Sequence, residues 1–486
     1  MGDEYGVKDG SHIPGFVLHK YLNDFATHFD IFRRIHFRTE VVSVAKSESG
    51  WEIPTVVSDS AGALEEVTYH CKKLIICSGL ASNPNPLKVE ANAIADDPNV
   101  ERVIIVGASK TGYDAVQLMA SRGKKVDWII RESGGGAVWM SAPWIPMGPW
   151  KVMLEHIATM RFFTWFSPCV WGDFDGFRRI RKFLHGTSFG RWLAHGLWEK
   201  FRWDTVRANG YRAQKPLEHL EPDESLFWSA RVGILNYPGN IHDFLTSGQV
   251  KTIKKDISHL SEGGKVHLAD GIVLESDALI AITGWKLAPA IQYQPAGLEA
   301  SLGVPTSDLT AEEEAFWDYL DQKADDEILS RFPYLKHGPR KPIPYKQNVS
   351  PFRLYRGIAP PGLSARGDRS IAFMKMVHST SNIIIAETQA LWVYAYLNNK
   401  LAIDKKDVYW QTALTSRYGK LRYPCGFSSW YPEFVYDAIP YADMLLSDLG
   451  VKHLRKKTWA KEVFEGYTIH DYKGINQEWK KKQLAK

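Results

Sequence analysis

Apolar and polar positions change period several times along the chain, and each change marks an element. Residues 13–34, IPGFVLHKYLNDFATHFDIFRR, set apolar side chains at helical spacing behind a proline and predict a helix. IHFRTEVVSVAK then alternates as a strand does, WEIPTVVSD predicts a second strand, and EEVTYHCKKLIICSG a third and fourth. LASNPNPL (80–87) is turn chemistry. VIIVGASKTG (103–112) runs from β-leaning residues into a glycine turn. The helical YDAVQLMA follows, and after SRG the strand KKVDWIIR (124–131) completes a β-α-β unit. Residues 139–230, rich in Trp, Phe and Arg, predict helices punctuated by GTSFGRW and ANGYR. Strand patterns return at VKTIKKDISHL, KVHLADG and IVLESDALIAITGW (272–285). Residues 305–350 read as a charged helix and a Pro-rich connection, RSIAFMKMV as a strand, and TSNIIIAETQALWVYAYLNN as a helix begun by Ser, Thr and Asn.

A β-α-β unit within such an alternation predicts an α/β chain with a doubly wound parallel sheet, and residues 139–230 are expected as an insertion into its nucleotide-binding domain. At 486 residues the chain is too long for one ordinary core, so two or three domains are expected. A net charge of +5 is mild, and the aromatics do not interleave with a basic patch, which argues against nucleic acid as a partner. Eighteen tryptophans, several between Trp139 and Trp203, imply large buried or interfacial aromatic surfaces. Cys71, Cys77, Cys169 and Cys425 lack metal-ligand spacing and are expected as scattered core thiols in a reducing compartment. No signal-peptide pattern opens the chain, and no apolar run has the length and composition of a membrane span. Residues 151–171 fit a buried insert helix, with peripheral membrane contact as the alternative. A cytoplasmic location is expected.

The stretch 103–112 carries the chemistry. Gly107 permits a tight turn, the small Ser109 lets the backbone approach a pyrophosphate, and Gly112 lets the helix pack close to the strand. The second strand ends on Arg131 rather than on the acid that would bind a ribose 2′-hydroxyl. A guanidinium there suits the 2′-phosphate of NADPH, while Glu132 beside it keeps a plain surface role open. Two apolar strands, KLIICSG and DALIAITGW, end in Ser-Gly and Thr-Gly, as expected where a chain passes close to a cofactor between two nucleotide domains. Asp277, ahead of the second, is expected to fix a backbone turn.

IPGFVLHKYL, CSGLASNPNP, VGASKTG, LESDALIAITGW, RSIAFMKMVHSTSNIIIAETQALWVYAYL and YPEFVYDAIPYADMLLSDLG, in this order, resemble the flavin-containing monooxygenases, particularly fungal relatives encoded with secondary-metabolite pathways. The resemblance implies a two-dinucleotide-binding-domain (Rossmann-like) flavoprotein fold with a helical insertion. It divides the chain into residues 1–98, a partial FAD-binding domain; 99–290, an NADPH-binding domain with the insertion at about 139–230; 291–400, a return to the FAD domain; and 401–486, a C-terminal helical extension. NADPH contacts then fall on Gly107, Ser109, Lys110, Thr111, Gly112 and Arg131. FAD contacts fall on Ser78 and Gly79 and, near the isoalloxazine, on Ser381, Asn382 and Gln389.

The implied activity is an NADPH-consuming, FAD-dependent monooxygenation by O₂ of a small hydrophobic metabolite, as hydroxylation, epoxidation or N/S-oxidation. No acid–base residue is identified, and His378, near the expected flavin edge, is read as a structural histidine. The chain departs from the pattern in one respect: it contains no Gly-x-Gly-x-x-Gly, and the first β-α-β unit of the FAD domain is expected to be missing. Two alternatives therefore stay open, a non-catalytic NADP-binding remnant or shortened version of such an enzyme, and a Baeyer–Villiger monooxygenase. The substrate and the oligomeric state are not assigned.

Overall fold

The computed structural model describes residues 3–8, 11–80, 95–147, 150–285, 291–339 and 349–485. Residues 81–87 of the expected loop and 340–348 of the Pro-rich connection lie outside the described residues. Helix α1 (Gly15–His28) starts behind Pro14, whose fixed φ suits a helix entry, yet Val17 alone among its residues is buried. Strands β1 (Thr39–Val41), β2 (Ser43–Lys46), β3 (Trp51–Ser58) and β4 (Leu64–Cys71) make an antiparallel sheet about β3. Strand β5 (Leu74–Ile76) leaves this sheet.

The β-α-β unit forms as the periodicity predicts: β6 (Arg102–Val106), α2 (Lys110–Ser121) and β7 (Lys125–Ile130). Residues 139–230 depart from expectation. Their first part is three short strands, β8 (Trp139–Ser141), β9 (Trp144–Met147) and β10 (Trp150–Met153), before α3 (Leu154–Ala158), α4 (Arg161–Thr164), α5 (Arg178–Gly186) and α6 (Ser188–Asn209). The single helix expected over 151–171 is thus a strand and two short helices. Trp165 and residues 167–172 are buried, so this stretch offers no continuous face to a membrane. Strand β11 (Val232–Ile234) pairs parallel with β8 and closes the excursion.

After α7 (Ile241–Thr246), strand β12 (Val250–Lys254) joins β7. Strands β13 (Ile257–Ser261), β14 (Lys265–Leu268) and β15 (Val273–Glu275) form an antiparallel meander, and β16 (Ala278–Ala281) completes a four-stranded parallel sheet of order β12-β7-β6-β16. Strand β6 reads as a continuous apolar run because both its faces are covered. Val103 and Ile105 pack toward α2 with Tyr113, Val116 and Met119, while Ile104 and Val106 pack on Val266 and Leu268 of the meander.

Strand β17 (Gln292–Gln294) crosses back and pairs with β2, followed by α8 (Leu298–Leu302). Helix α9 (Ala311–Arg331) opens with a capping box, the Thr310 hydroxyl accepting from Glu313 N–H and the Glu313 carboxylate accepting from Thr310 N–H. After α10 (Pro361–Arg366), β18 (Ile371–Phe373) pairs parallel with β5, and α11 (Asn382–Leu397) follows. Helices α12 (Val408–Arg422), α13 (Ala438–Leu449), α14 (Trp459–Phe464) and α15 (Ile475–Leu484) complete the chain. They share one core with the excursion: Trp171, Trp198 and Phe227 pack in the same cluster as Trp392, Tyr418, Phe434 and Tyr441. Most of the expected thiols are at least partly buried, but Cys77, at the end of β5, is exposed.

Candidate functional site

The expected site residues gather beyond the carboxyl ends of two sets of parallel strands, where ligands of open α/β sheets bind. The first set is at the ends of β6 and β7. Gly107 has φ +109°, a conformation that L side chains rarely adopt, and a Cβ there would stand 2.6 Å from the Ile282 carbonyl oxygen. A Cβ on Gly112 would overlap the Gly107 carbonyl oxygen. Both glycines are therefore obligatory for this turn. Ser109 is the N-cap of α2, and its hydroxyl makes no cap bond. It is exposed. The first-turn N–H groups and this hydroxyl form a donor set suited to a phosphate.

Thr111 is exposed on the same turn. Lys110 is engaged elsewhere. Its Nζ is bonded to the Asp114 carboxylate, donates to Tyr237 Oη at 3.1 Å, and lies over the Tyr237 ring. Its charge is thereby committed within the protein. At the end of β7, Arg131 is exposed and has no ion pair among the described residues. Glu132 is drawn off toward Lys255, 3.6 Å away. Asp277 accepts from Glu101 N (2.9 Å) and Arg102 N (2.8 Å), which fixes the start of β6 and holds its carboxyl below the usual range. Strand β16 then carries Ile282 beside Gly107, and the chain continues past Thr283-Gly284 into the other sheet.

The second set lies beyond β5 and β18. Ser78 and Gly79 (φ +70°) follow β5. Ser381 caps α11, and Asn382 is its first residue rather than its cap. Lys375, with φ +59°, donates from Nζ to Asn382 Oδ1 at 2.7 Å, and burial lowers the pKa of its ammonium. Gln389, expected at the cofactor, is instead fully buried: its Oε1 accepts from Lys375 N (3.0 Å) and its Nε2 donates to Tyr441 Oη (2.8 Å). Its amide holds the Lys375 turn. The side chain faces inward because helical spacing places position 389 on the core side of α11.

His378, expected as a structural histidine, is held in a loop beside α11. Its ring is 44% exposed, and Nδ1 lies 3.1 Å from Oε1 of the buried Glu433. The other Glu433 oxygen accepts from Phe427 N at 2.7 Å. The loop is clamped by His378 N donating to Pro432 O and Phe434 N donating to His378 O. The buried carboxylate thus orients a half-exposed imidazole. No local pattern shows it, since the partners are 55 residues apart.

The described residues fit the two dinucleotides unequally. The first set has a glycine turn, an uncapped helix N-terminus and an exposed arginine, which suit a dinucleotide phosphate. The second has helix-terminal donors and a shaped loop, but β5 pairs with β18 on one edge and with no strand on the other among the described residues. Nor does a glycine turn among them serve as a second pyrophosphate cradle there. Among the described residues no cluster of His, Cys, Asp and Glu could hold a metal ion.

A glycine-turn parallel sheet joined to a second parallel strand pair has the architecture of a two-dinucleotide-binding fold. Residues 7–150 match the family model described as pyridine nucleotide-disulphide oxidoreductase. The chain is 30% identical to the FAD-dependent monooxygenase rstn6 of Aspergillus nomiae, over 97% of this chain and 85% of the relative. It is also 30% identical to the FAD-dependent monooxygenase resA of Aspergillus sclerotiorum, over 100% of this chain and 88% of the relative. The closed crystal structure of cyclohexanone monooxygenase shares the fold, with a TM-score of 0.51 at 13% identity, covering 92% of this chain and 86% of that one. The chain belongs to the family of fungal FAD-dependent monooxygenases. No described helix is long and apolar enough to cross a membrane.

Proposed function

We propose that the protein consumes NADPH and, with FAD and O₂, oxygenates a small hydrophobic metabolite of fungal secondary metabolism. The observation that carries this reading is Arg131, exposed and without an ion pair among the described residues, one strand across from the Gly107–Gly112 turn. Ser109 and the first turn of α2 would hold the pyrophosphate, and Arg131 the 2′-phosphate. FAD, when bound, supplies the redox and oxygen-activating chemistry. The chain's own residues bind and orient: Gln389 fixes the Lys375 turn, Lys375 steadies Asn382, and Glu433 holds the His378 ring. Trp285, 49% exposed three residues beyond Ile282, adds apolar surface for a hydrophobic substrate. In this reading residues 1–98 and 291–400 serve FAD, 99–290 serve NADPH, and 401–486 brace the insertion.

A second reading, NADP binding without oxygenation, is favoured by one observation, the edge of β5 that no strand pairs among the described residues. The absorption spectrum of the purified chain with and without added FAD separates the two. A retained flavin spectrum with NADPH-dependent uptake of O₂, and one atom of ¹⁸O₂ in the product, is expected. A colourless protein that binds NADPH and takes up no FAD would establish the second reading. Ester formation from a ketone would redirect the assignment to Baeyer–Villiger chemistry.

A further inference from the structure

The hairpin of α5 and α6 ends in three aromatic rings turned to solvent. Phe183, Phe189 and Trp192 are 45%, 60% and 66% exposed. Phe189 stacks on Trp192 at 5.7 Å and meets Phe183 at 6.4 Å, so the rings form one continuous patch. Single exposed apolar residues are ordinary; a contiguous patch marks an interaction surface.

The tip is held rigid. A Cβ on Gly190 would overlap the Phe183 carbonyl oxygen, so the two helices meet backbone to backbone. Thr187 accepts from Gly190 N at 3.0 Å and caps α6. Arg191 donates to Gly186 O at 3.0 Å and to Ser188 Oγ at 3.2 Å across the turn. The rings are therefore presented without an ordering cost on binding.

Charge narrows the partner. Arg178, Arg179 and Lys182 are exposed on α5, the helix that carries Phe183. Arg179 and Lys182 have no ion pair among the described residues, and Arg178 has only Asp173 at 3.5 Å. Helix α1 exposes apolar residues too, but its one lysine, Lys20, is paired with Asp24 at 2.6 Å, and just beyond the helix Arg33 is paired with Asp30 at 2.6 Å, which leaves Arg34 alone without a carboxylate there among the described residues. A two-fold contact between copies of the hairpin would bring the uncompensated cations of both together. We propose that the α5–α6 tip docks on an anionic lipid surface, with Phe183, Phe189 and Trp192 at headgroup depth and Arg178, Arg179 and Lys182 on lipid phosphates.

The test is flotation of the full chain with sealed vesicles of phosphatidylcholine alone or with about 30% phosphatidylserine, read alongside tryptophan emission. The wild type is expected to float with the anionic vesicles, with a blue shift, and to bind the neutral ones far less. Each basic residue near such a surface contributes about fivefold in partitioning, so R178Q/R179Q/K182Q should bind about a hundredfold more weakly. F183S/F189S/W192S should lose binding and the blue shift with an unchanged thermal unfolding curve, because these side chains are exposed. F25S/F29S on and just after α1 should bind as the wild type does. Absence of wild-type flotation, equal binding to neutral vesicles, or undiminished binding by both hairpin variants would overturn the proposal. A concentration-dependent mass abolished by F183S/F189S/W192S, without vesicle binding, would overturn it in favour of self-association.

Discussion

Arg131→Ala removes a guanidinium whose only expected partner is the ribose 2′-phosphate. A charge-assisted hydrogen bond of this kind contributes about 1.5–3 kcal/mol. Arg131 is exposed at the end of β7, so solvent screening places its effect in the lower half of that range, about 1.5–2 kcal/mol. The dissociation constant for NADPH should therefore rise about 10- to 30-fold, while that for NADH, which lacks the phosphate, stays within about twofold. The loss should shrink at high salt, as expected for an exposed ionic contact. Titration of tryptophan fluorescence with each nucleotide at low and high ionic strength measures all four constants. Equal weakening of NADPH and NADH would show that the substitution disturbs the turn rather than a phosphate contact. An unchanged NADPH constant would remove Arg131 from the site and with it the argument for NADPH over NADH.

The same geometry sets three further outcomes. Arg161→Met strips a buried guanidinium from Asp443, Asp175, Glu462 and Tyr467, with Nη1 to Asp443 at 2.5 Å and Nε to Glu462 at 2.8 Å. Breaking such a pair costs about 3–5 kcal/mol, measurable as a lowered thermal midpoint. Burial already raises the Asp443 carboxyl and the variant raises it further, so the folded state binds more protons than the unfolded one; stability then falls as pH rises, and the deficit should narrow from about pH 7 toward about pH 5. An equal deficit at both pH values would contradict that account. Gly112→Ala, which forces a methyl against the Gly107 carbonyl, should cost about 1–3 kcal/mol and abolish nucleotide binding; calorimetry with NADPH checks it. Glu433→Ala leaves Phe427 N without its carboxylate acceptor and frees the His378 ring, costing about 1–3 kcal/mol on denaturant unfolding, whereas a stability equal to wild type would mean water replaces the carboxylate.

The nucleotide sheet was legible because its signals are local. The run 103–106 is apolar at every position, Gly107 and Gly112 are spaced for the turn, and the second strand ends on Arg131. Helix α9 was legible from its run of charged residues, and α11 from its apolar run behind Ser, Thr and Asn. The strands β8 to β10 were hidden: each is three or four residues long, too short to display a period, and the tryptophans in them read equally well as helix. The internal bonds of Gln389 were not legible, because a polar residue in an apolar helix signals a ligand and a buried backbone partner alike. The Arg161 cluster escaped notice for a different reason. Its carboxylates lie up to 301 positions away, and in sequence a buried arginine cannot be told from a surface one.

The parallel pairing of β8 with β11 brings both ends of a roughly ninety-residue excursion to adjacent backbone positions, at Trp139↔Val232. By itself that would make the excursion a module to be exchanged between homologues without touching the nucleotide turn. Its far side, however, is welded to the tail: Arg161 to Asp443 and Glu462, Arg422 to the Phe227 carbonyl, Tyr418 to the Pro168 carbonyl. Grafting the excursion alone would strand buried charges in both donor and recipient. The segment and the C-terminal helices are one cassette for inheritance and for engineering, so a chimera that changes substrate range has to carry both.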